Sequence, residues 1–172
     1  PCTHFSRSGA VFWERKDKEQ PELLEQAINL VRKVLEIVDY HSPNCWFVEN
    51  PIGRIGRCVS KLNQYKKFYF DPYEYAGWAD NPELERYTKR TVLYGKFLIP
   101  IKRPVAPIAA TGGHHSMDLC LIHNGISLGG FESRSKWRSL TPSGFARAFC
   151  HRNMNRKISM PEQLTLFGRH DL

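Results

Sequence analysis

Residues 45–51, CWFVENP, form a short and nearly continuous apolar run that stops at a polar pair and a proline. Such a run reads as a buried strand entering a loop at its carboxyl end, the pattern of a parallel sheet covered on both faces. Just upstream, in EQPELLEQAINLVRKVLEIVDYHSP (residues 19–43), Leu23, Leu24, Ala27, Ile28, Val31, Val34, Leu35 and Val38 recur at helical spacing. Pro21 falls in the first turn and Pro43 past the end, where each is tolerated. Loop, helix and buried strand make half of an α/β unit. Downstream, KKFYFDP (66–72) and RTVLYGKFLIP (90–100) read as two further strands, each closed by proline. The expected class is α/β, with a mainly parallel sheet.

At 172 residues the chain has the size of one domain. Residues 1–100 read as its α/β part. Residues 101–136 carry Pro104, Pro107, Gly112, Gly113, Gly125, Gly129 and Gly130 with weak periodicity, and read as loop or a small irregular subdomain. A closing helix is expected within 137–158, over TPSGFARAFCHRN (141–153), with Thr141 as N-cap and Pro142 in the first helical position. Residues 159–172 form a tail. Hydrophobic residues at 41% and charged residues at 24% exclude a disordered chain. No apolar run approaches the roughly 20 residues of a membrane span, and no basic-then-apolar leader opens the chain, so the expectation is a cytoplasmic protein without a membrane partner. Twenty-five Lys and Arg against 17 Asp and Glu, a net charge of +8, suit a polyanionic partner. The five cysteines are odd in number and hold no CxxC pair, which points to free thiols. Pro1, in place of an initiator methionine, points to a fragment, a trimmed chain or one piece of a split protein.

In an open α/β sheet, ligands sit outside the carboxyl ends of the strands, and two chemically pointed stretches are expected there: PCTHFS (1–6) and FVENP (47–51). A cysteine on a loop becomes a thiolate nucleophile when a positive environment lowers its pKa. A glutamate at the end of a buried strand is partly desolvated, which raises its pKa and lets it donate a proton. Singly, Cys2 reads as an inert thiol and Glu49 as a solvated cap. Together they suit nucleophilic addition to a ring that must be protonated elsewhere.

These two motifs resemble those of the DNA cytosine-5 methyltransferase family, in which a proline-cysteine loop followed by Phe-Ser precedes a Glu-Asn dipeptide at a strand end. Here they stand as Pro1-Cys2-Thr3-His4-Phe5-Ser6 and Phe47-Val48-Glu49-Asn50-Pro51. TKRTVLYG (88–95) is similar to the family's Gln-x-Arg-x-Arg strand, with Arg90 at the first arginine and Thr88 and Val92 at the glutamine and second arginine. RSLTPSGFARAF (138–149) is similar to its Arg-x-Leu-Thr segment, and the Glu-Asn-Pro form is closest to divergent, phage-type members. The resemblance implies a partial Rossmann-like class I methyltransferase fold: the second part of the sheet plus a small irregular recognition region. It implies that Cys2 adds to C6 of cytosine while Glu49 protonates N3, that Asn50 holds the loop backbone or Glu49, and that Arg90 orients the glutamate or contacts a phosphate. S-adenosylmethionine is the implied cofactor, held in the family by a glycine-rich loop upstream of the proline-cysteine motif. An upstream cofactor-binding segment or subunit is therefore an expected partner, and GISLGGFES (125–133) reads as a coincidental match.

Double-stranded DNA is the implied substrate, with the target cytosine flipped out of the stack. Arg54 and Arg57 in GRIGRCVSK (53–61), with Lys61 and Lys89, are the candidate phosphate contacts; a solvated loop is the plain alternative. Residues 101–136 are where target recognition is expected. His114, His115, Cys120 and His123 match no zinc spacing, so no metal is expected. In the tail, Gln163-Leu164-Thr165-Leu166-Phe167 resembles the Gln-Leu-x-Leu-Phe peptide with which bacterial replication and repair proteins dock on the sliding clamp. Leu164, Leu166 and Phe167 would fill apolar pockets and Gln163 would orient the peptide. Two other readings stand beside this one: a pyrimidine-modifying enzyme using the same cysteine addition with another one-carbon donor, and a catalytically inactive DNA-binding module.

Overall fold

The computed structural model describes residues 2–112, 115–127 and 136–154, with the side chains of Cys2 and Thr3 outside the description. The opening segment, expected as loop, is wound: α1 (Cys2–Phe5) and α2 (Trp13–Glu19) flank a 3-10 turn over Arg7–Phe12. The periodic segment forms α3 (Pro21–His41), with Pro21 in its first turn. α3 stops at Ser42, which takes a left-handed conformation (φ 46°) while its amide donates to the Val38 carbonyl at 2.8 Å. Pro43, just beyond, cannot extend a helix. Ala27, Ile28, Val31 and Leu35 are buried on the inward stripe of α3.

Three strands follow: β1 (Trp46–Pro51), β2 (Lys66–Phe70) and β3 (Thr91–Lys96). They pair in the order β1-β3-β2, both pairings antiparallel. The expectation of a mainly parallel sheet is corrected here. β3 returns between the other two, so β1 and β2 run parallel to each other but share no ladder. The reading of β1 as a fully buried strand is corrected as well. β1 lies at a sheet edge among the described residues; only Asn50 is buried along it, and Phe47 is 37% exposed. An apolar run cannot tell a central strand from an edge strand, because what covers each face is contributed from elsewhere.

Register divides the strands into two faces. Trp46, Val48, Val92 and Tyr94 point towards α3, packing with Phe5 and with Ile55, Val59 and Leu62 from the connection after β1, which includes α4 (Ile55–Cys58). Phe68, Phe70 and Leu93 point the other way, into an aromatic layer with Tyr75, Phe97, Phe145 and Phe149. Residues 101–136, expected to be irregular, contain α5 (Ser116–His123), whose Met117 and Cys120 pack on Tyr87 and Trp137. This corrects the sequence reading, in which the surrounding glycines and prolines masked one short apolar helix.

The closing helix α6 (Ser143–Asn153) starts one residue later than a Thr141 cap would place it, with Pro142 in the cap position. Its first amides are capped from far away in sequence. The buried Glu85 carboxylate accepts from Ser143 N at 2.5 Å and from Gly144 N at 2.9 Å. A carboxylate at a helix N-terminus meets both the free amides and the positive end of the dipole. Gly144 allows that approach, since a Cβ there would stand 2.4 Å from the Tyr75 carbonyl oxygen.

Candidate functional site

Because β1 and β2 are both antiparallel to β3, they end at the same sheet edge, and β3 begins there. This edge gathers Glu49 and Asn50 from β1, Asp71 just after β2, and Lys89 and Arg90 just before β3. The segment bearing Cys2 is fastened to it through the backbone. Arg7 N donates to Ile52 O at 2.8 Å, Arg54 N donates to Phe5 O at 2.8 Å, and Ser6 and Gly53 form an antiparallel bridge. A Cβ on Gly53 would stand 1.7 Å from the Phe5 carbonyl oxygen, so only glycine permits this approach. The two motifs, more than 40 residues apart in sequence, are thus neighbours in space. Where the Cys2 thiol points lies outside the described residues.

Glu49 and Asn50 face opposite ways, as strand alternation requires. Asn50 is 2% exposed and its side-chain amide donates to the Pro51 carbonyl at 2.5 Å, so it braces the end of β1. Glu49 lies on the face of the aromatic layer. Burial pushes its carboxyl above the usual value, with Lys89 as a smaller opposing influence. The carboxyl therefore holds its proton more readily than a free one. The residue as a whole is exposed.

Arg90 does not reach Glu49 as its ion-pair partner. Its guanidinium bonds Asp71 at 3.1 Å, and the charge that acts on Glu49 is that of Lys89. Asp71 is the residue the sequence reading missed: it is 9% exposed, and its second carboxylate oxygen is buried without a partner among the described residues. The one local signal was an Asp-Pro pair closing a strand.

The four candidate phosphate contacts separate by environment. Arg54 is enclosed. Its guanidinium makes two bonds to Asp17, one of 2.7 Å, its Nε donates to the His4 carbonyl at 2.8 Å, and its plane lies 4.7 Å from the Trp13 ring centroid. A guanidinium so occupied, with its side chain 11% exposed, pins α2 to the loop after β1 and leaves no fork for a phosphate. Hydrogen bonding to Arg54 holds the Asp17 carboxyl below its usual value. Lys61 pairs with Asp39 at 2.5 Å, and Lys89 donates to the Arg138 carbonyl at 2.7 Å. Arg57 is exposed and forms no ion pair among the described residues. His4, beside this clamp, has its pKa lowered first by burial and then by Lys16.

Among the grooves of the described surface, one of about 260 Å³ is lined by His4, Leu23, Gln26, Ala27 and Leu30, and another of about 300 Å³ lies between α3 and residues 58–61. Neither fits S-adenosylmethionine. The first offers no carboxylate for ribose hydroxyls, and in the second Glu36 is taken by Lys33 at 2.7 Å. Gly129 and Gly130 and the clamp-like peptide Gln163–Phe167 lie outside the described residues. Among the described residues no helix is long and apolar enough to cross a membrane. No protein-family model matches the chain, and comparison with curated proteins and with solved structures yields no match.

Proposed function

We propose that this chain is the base-activating part of a DNA cytosine-5 methyltransferase, acting on a cytosine flipped from duplex DNA. The observation that carries the reading is the backbone fastening of residues 5–7 to residues 52–54, which sets the Cys2 segment against the strand end that bears Glu49. On this reading the Cys2 thiolate forms a bond to C6 of the ring. The electron pair displaced from the C5–C6 double bond is drawn towards N3, where the Glu49 carboxyl delivers its proton. The product is an enamine whose C5 is nucleophilic. The raised Glu49 pKa supports the proton-donor role, because an acid works best when its pKa lies closer to the working pH.

No methyl-transfer step is assigned to these residues, since neither groove described above offers a seat for S-adenosylmethionine. The donor belongs instead to an upstream cofactor-binding segment or a second subunit. The outer edge of β1 and the exposed Leu23, Leu30 and Ile37 of α3 support that assignment, since they offer a strand-and-helix seat for such a part. A partial Rossmann-like fold is the finer architecture this reading entails, and an antiparallel strand within an otherwise parallel sheet is common in doubly wound folds. The net charge of +8 suits the DNA backbone.

The test is a covalent adduct with duplex DNA containing 5-azacytosine, whose ring nitrogen at position 5 takes a proton and so retains the C6 adduct without a methyl donor. The full chain should gain the mass of the oligonucleotide at Cys2, Cys2→Ala should gain none, and Glu49→Gln should react more slowly. Absence of the adduct, or its survival in Cys2→Ala, overturns the reading. The tail peptide extends the proposal to a bacterial sliding clamp, which would deliver the enzyme to newly replicated DNA. Fluorescence polarisation of a peptide spanning 159–172 against a clamp should show binding that Leu166→Ala and Phe167→Ala remove; binding indifferent to both changes rejects it.

A further inference from the structure

Tyr69 lies on β2, the other edge strand of the sheet, and its ring is 44% exposed. Register places it opposite Val92, and Lys67 opposite Tyr94, on the face that α3 covers. Val92 and Tyr94 are buried under that cover, whereas Lys67 and Tyr69 stand exposed beyond it. One cation lies over this ring and another over its neighbour across the ladder. The Arg90 guanidinium is 5.8 Å from the Tyr69 centroid, and the Lys67 ammonium is 5.7 Å from the Tyr94 centroid. Lys67 forms no ion pair among the described residues, and Arg90 keeps 48% of its side chain exposed despite its bond to Asp71.

Charge alone protects an edge strand from pairing with another, and Lys66 and Lys67 supply it. An exposed ring set among cations goes beyond that requirement. It is the combination that binds single-stranded nucleic acid, in which bases stack on aromatic faces and cations follow the phosphates. We infer that Tyr69 is a stacking platform for an unpaired base of DNA, with Lys67 and Arg90 holding the phosphates beside it. Tyr69 and Asn50 stand in one lateral row through Val92, two strand spacings or about 10 Å apart, on the face opposite Glu49, so the ring is placed for a base beside the target and not for the target itself. The inference takes its ligand class from the function proposed above.

The experiment is fluorescence anisotropy of the full chain with a short labelled single-stranded DNA. Tyr69→Ala should weaken binding by about tenfold, the scale of one base stacked on an aromatic ring. Tyr69→Phe, which keeps the ring, should stay within about twofold on the same scale, and Lys67→Gln should lower the slope of log affinity against log salt by about 0.7. Tyr69→Ala binding as wild type, or Tyr69→Phe losing as much as Tyr69→Ala, overturns the stacking platform and leaves the adduct chemistry standing. A wild-type chain that does not bind the single strand overturns the platform, and one that also forms no adduct with the duplex overturns both.

Discussion

On the α3 side of the sheet, aliphatic side chains close the layer, Ala27, Ile28, Val31 and Leu35 meeting Val92, with Phe5 brought in from α1. On the α6 side the layer is aromatic: Phe145 stacks on Phe70 with centroids 3.9 Å apart and meets Tyr75 edge-on at 5.3 Å. The difference extends to how each layer is tied to the rest of the chain. The first is fastened by backbone hydrogen bonds between two loops and by the Arg54–Asp17 clamp. The second is fastened by rings and by one buried carboxylate, Glu85, at the start of α6. Backbone fastening fixes the position of a loop closely but tolerates no added atom, whereas ring packing stores more burial energy and sets no catalytic geometry. The Cys2 segment accordingly lies where the chain is fastened by backbone, while Glu49, on the neighbouring strand end, faces the aromatic layer.

Phe145→Ala should be the largest perturbation, costing about 3–5 kcal/mol because a 1% exposed ring leaves a cavity among other rings. Urea unfolding followed by both circular dichroism and tryptophan fluorescence checks it. Coincident transitions would show the two layers unfolding as one unit, and separated ones would sharpen the contrast between them. Gly53→Ala should cost about 3 kcal/mol, at the upper end of overpacking, because the added carbon meets backbone that cannot rotate away. Its adduct yield with 5-azacytosine DNA should fall even at temperatures where the variant is fully folded. Retained yield at full folding would separate the loop junction from the chemistry. The smallest effect concerns pH. Asp17 has a lowered carboxyl pKa in the fold, so its contribution is present above the ordinary value of 3.8 and is lost as pH falls through the lowered one. Wild type should therefore exceed Asp17→Asn by about 1 kcal/mol near neutral pH, with the gap closing in acid. A constant gap down to the lowest accessible pH would remove the ion pair as its cause.

Much of the local structure was legible in the chain. The spacing of Leu24, Ala27, Ile28, Val31 and Leu35 between two prolines sufficed for α3, and proline-closed apolar runs sufficed for β2 and β3, because helix periodicity and chain breaking act over a few residues. The pairing of the Cys2 and Glu49 motifs was legible as motif order alone. The direction of the sheet was not. Whether β1 pairs with a parallel or an antiparallel neighbour depends on hydrogen bonds to residues 91–96, and nothing in CWFVENP encodes the partner. Arg54 illustrates the same limit. Its place beside two glycines suggested a phosphate contact, yet a carboxylate 37 residues earlier in the chain occupies its guanidinium. Glu85 reads as one more charge in PELER until α6, 58 residues on, brings its free amides to it. The sequence by itself determined that α3 winds and that β2 and β3 extend, since those preferences are local, while the windings of the opening segment and of α5 escaped it. Tertiary structure decided which charges are used up in holding the fold and which remain exposed, since a charge is neutralised by whatever lies within a few ångströms, however distant along the chain.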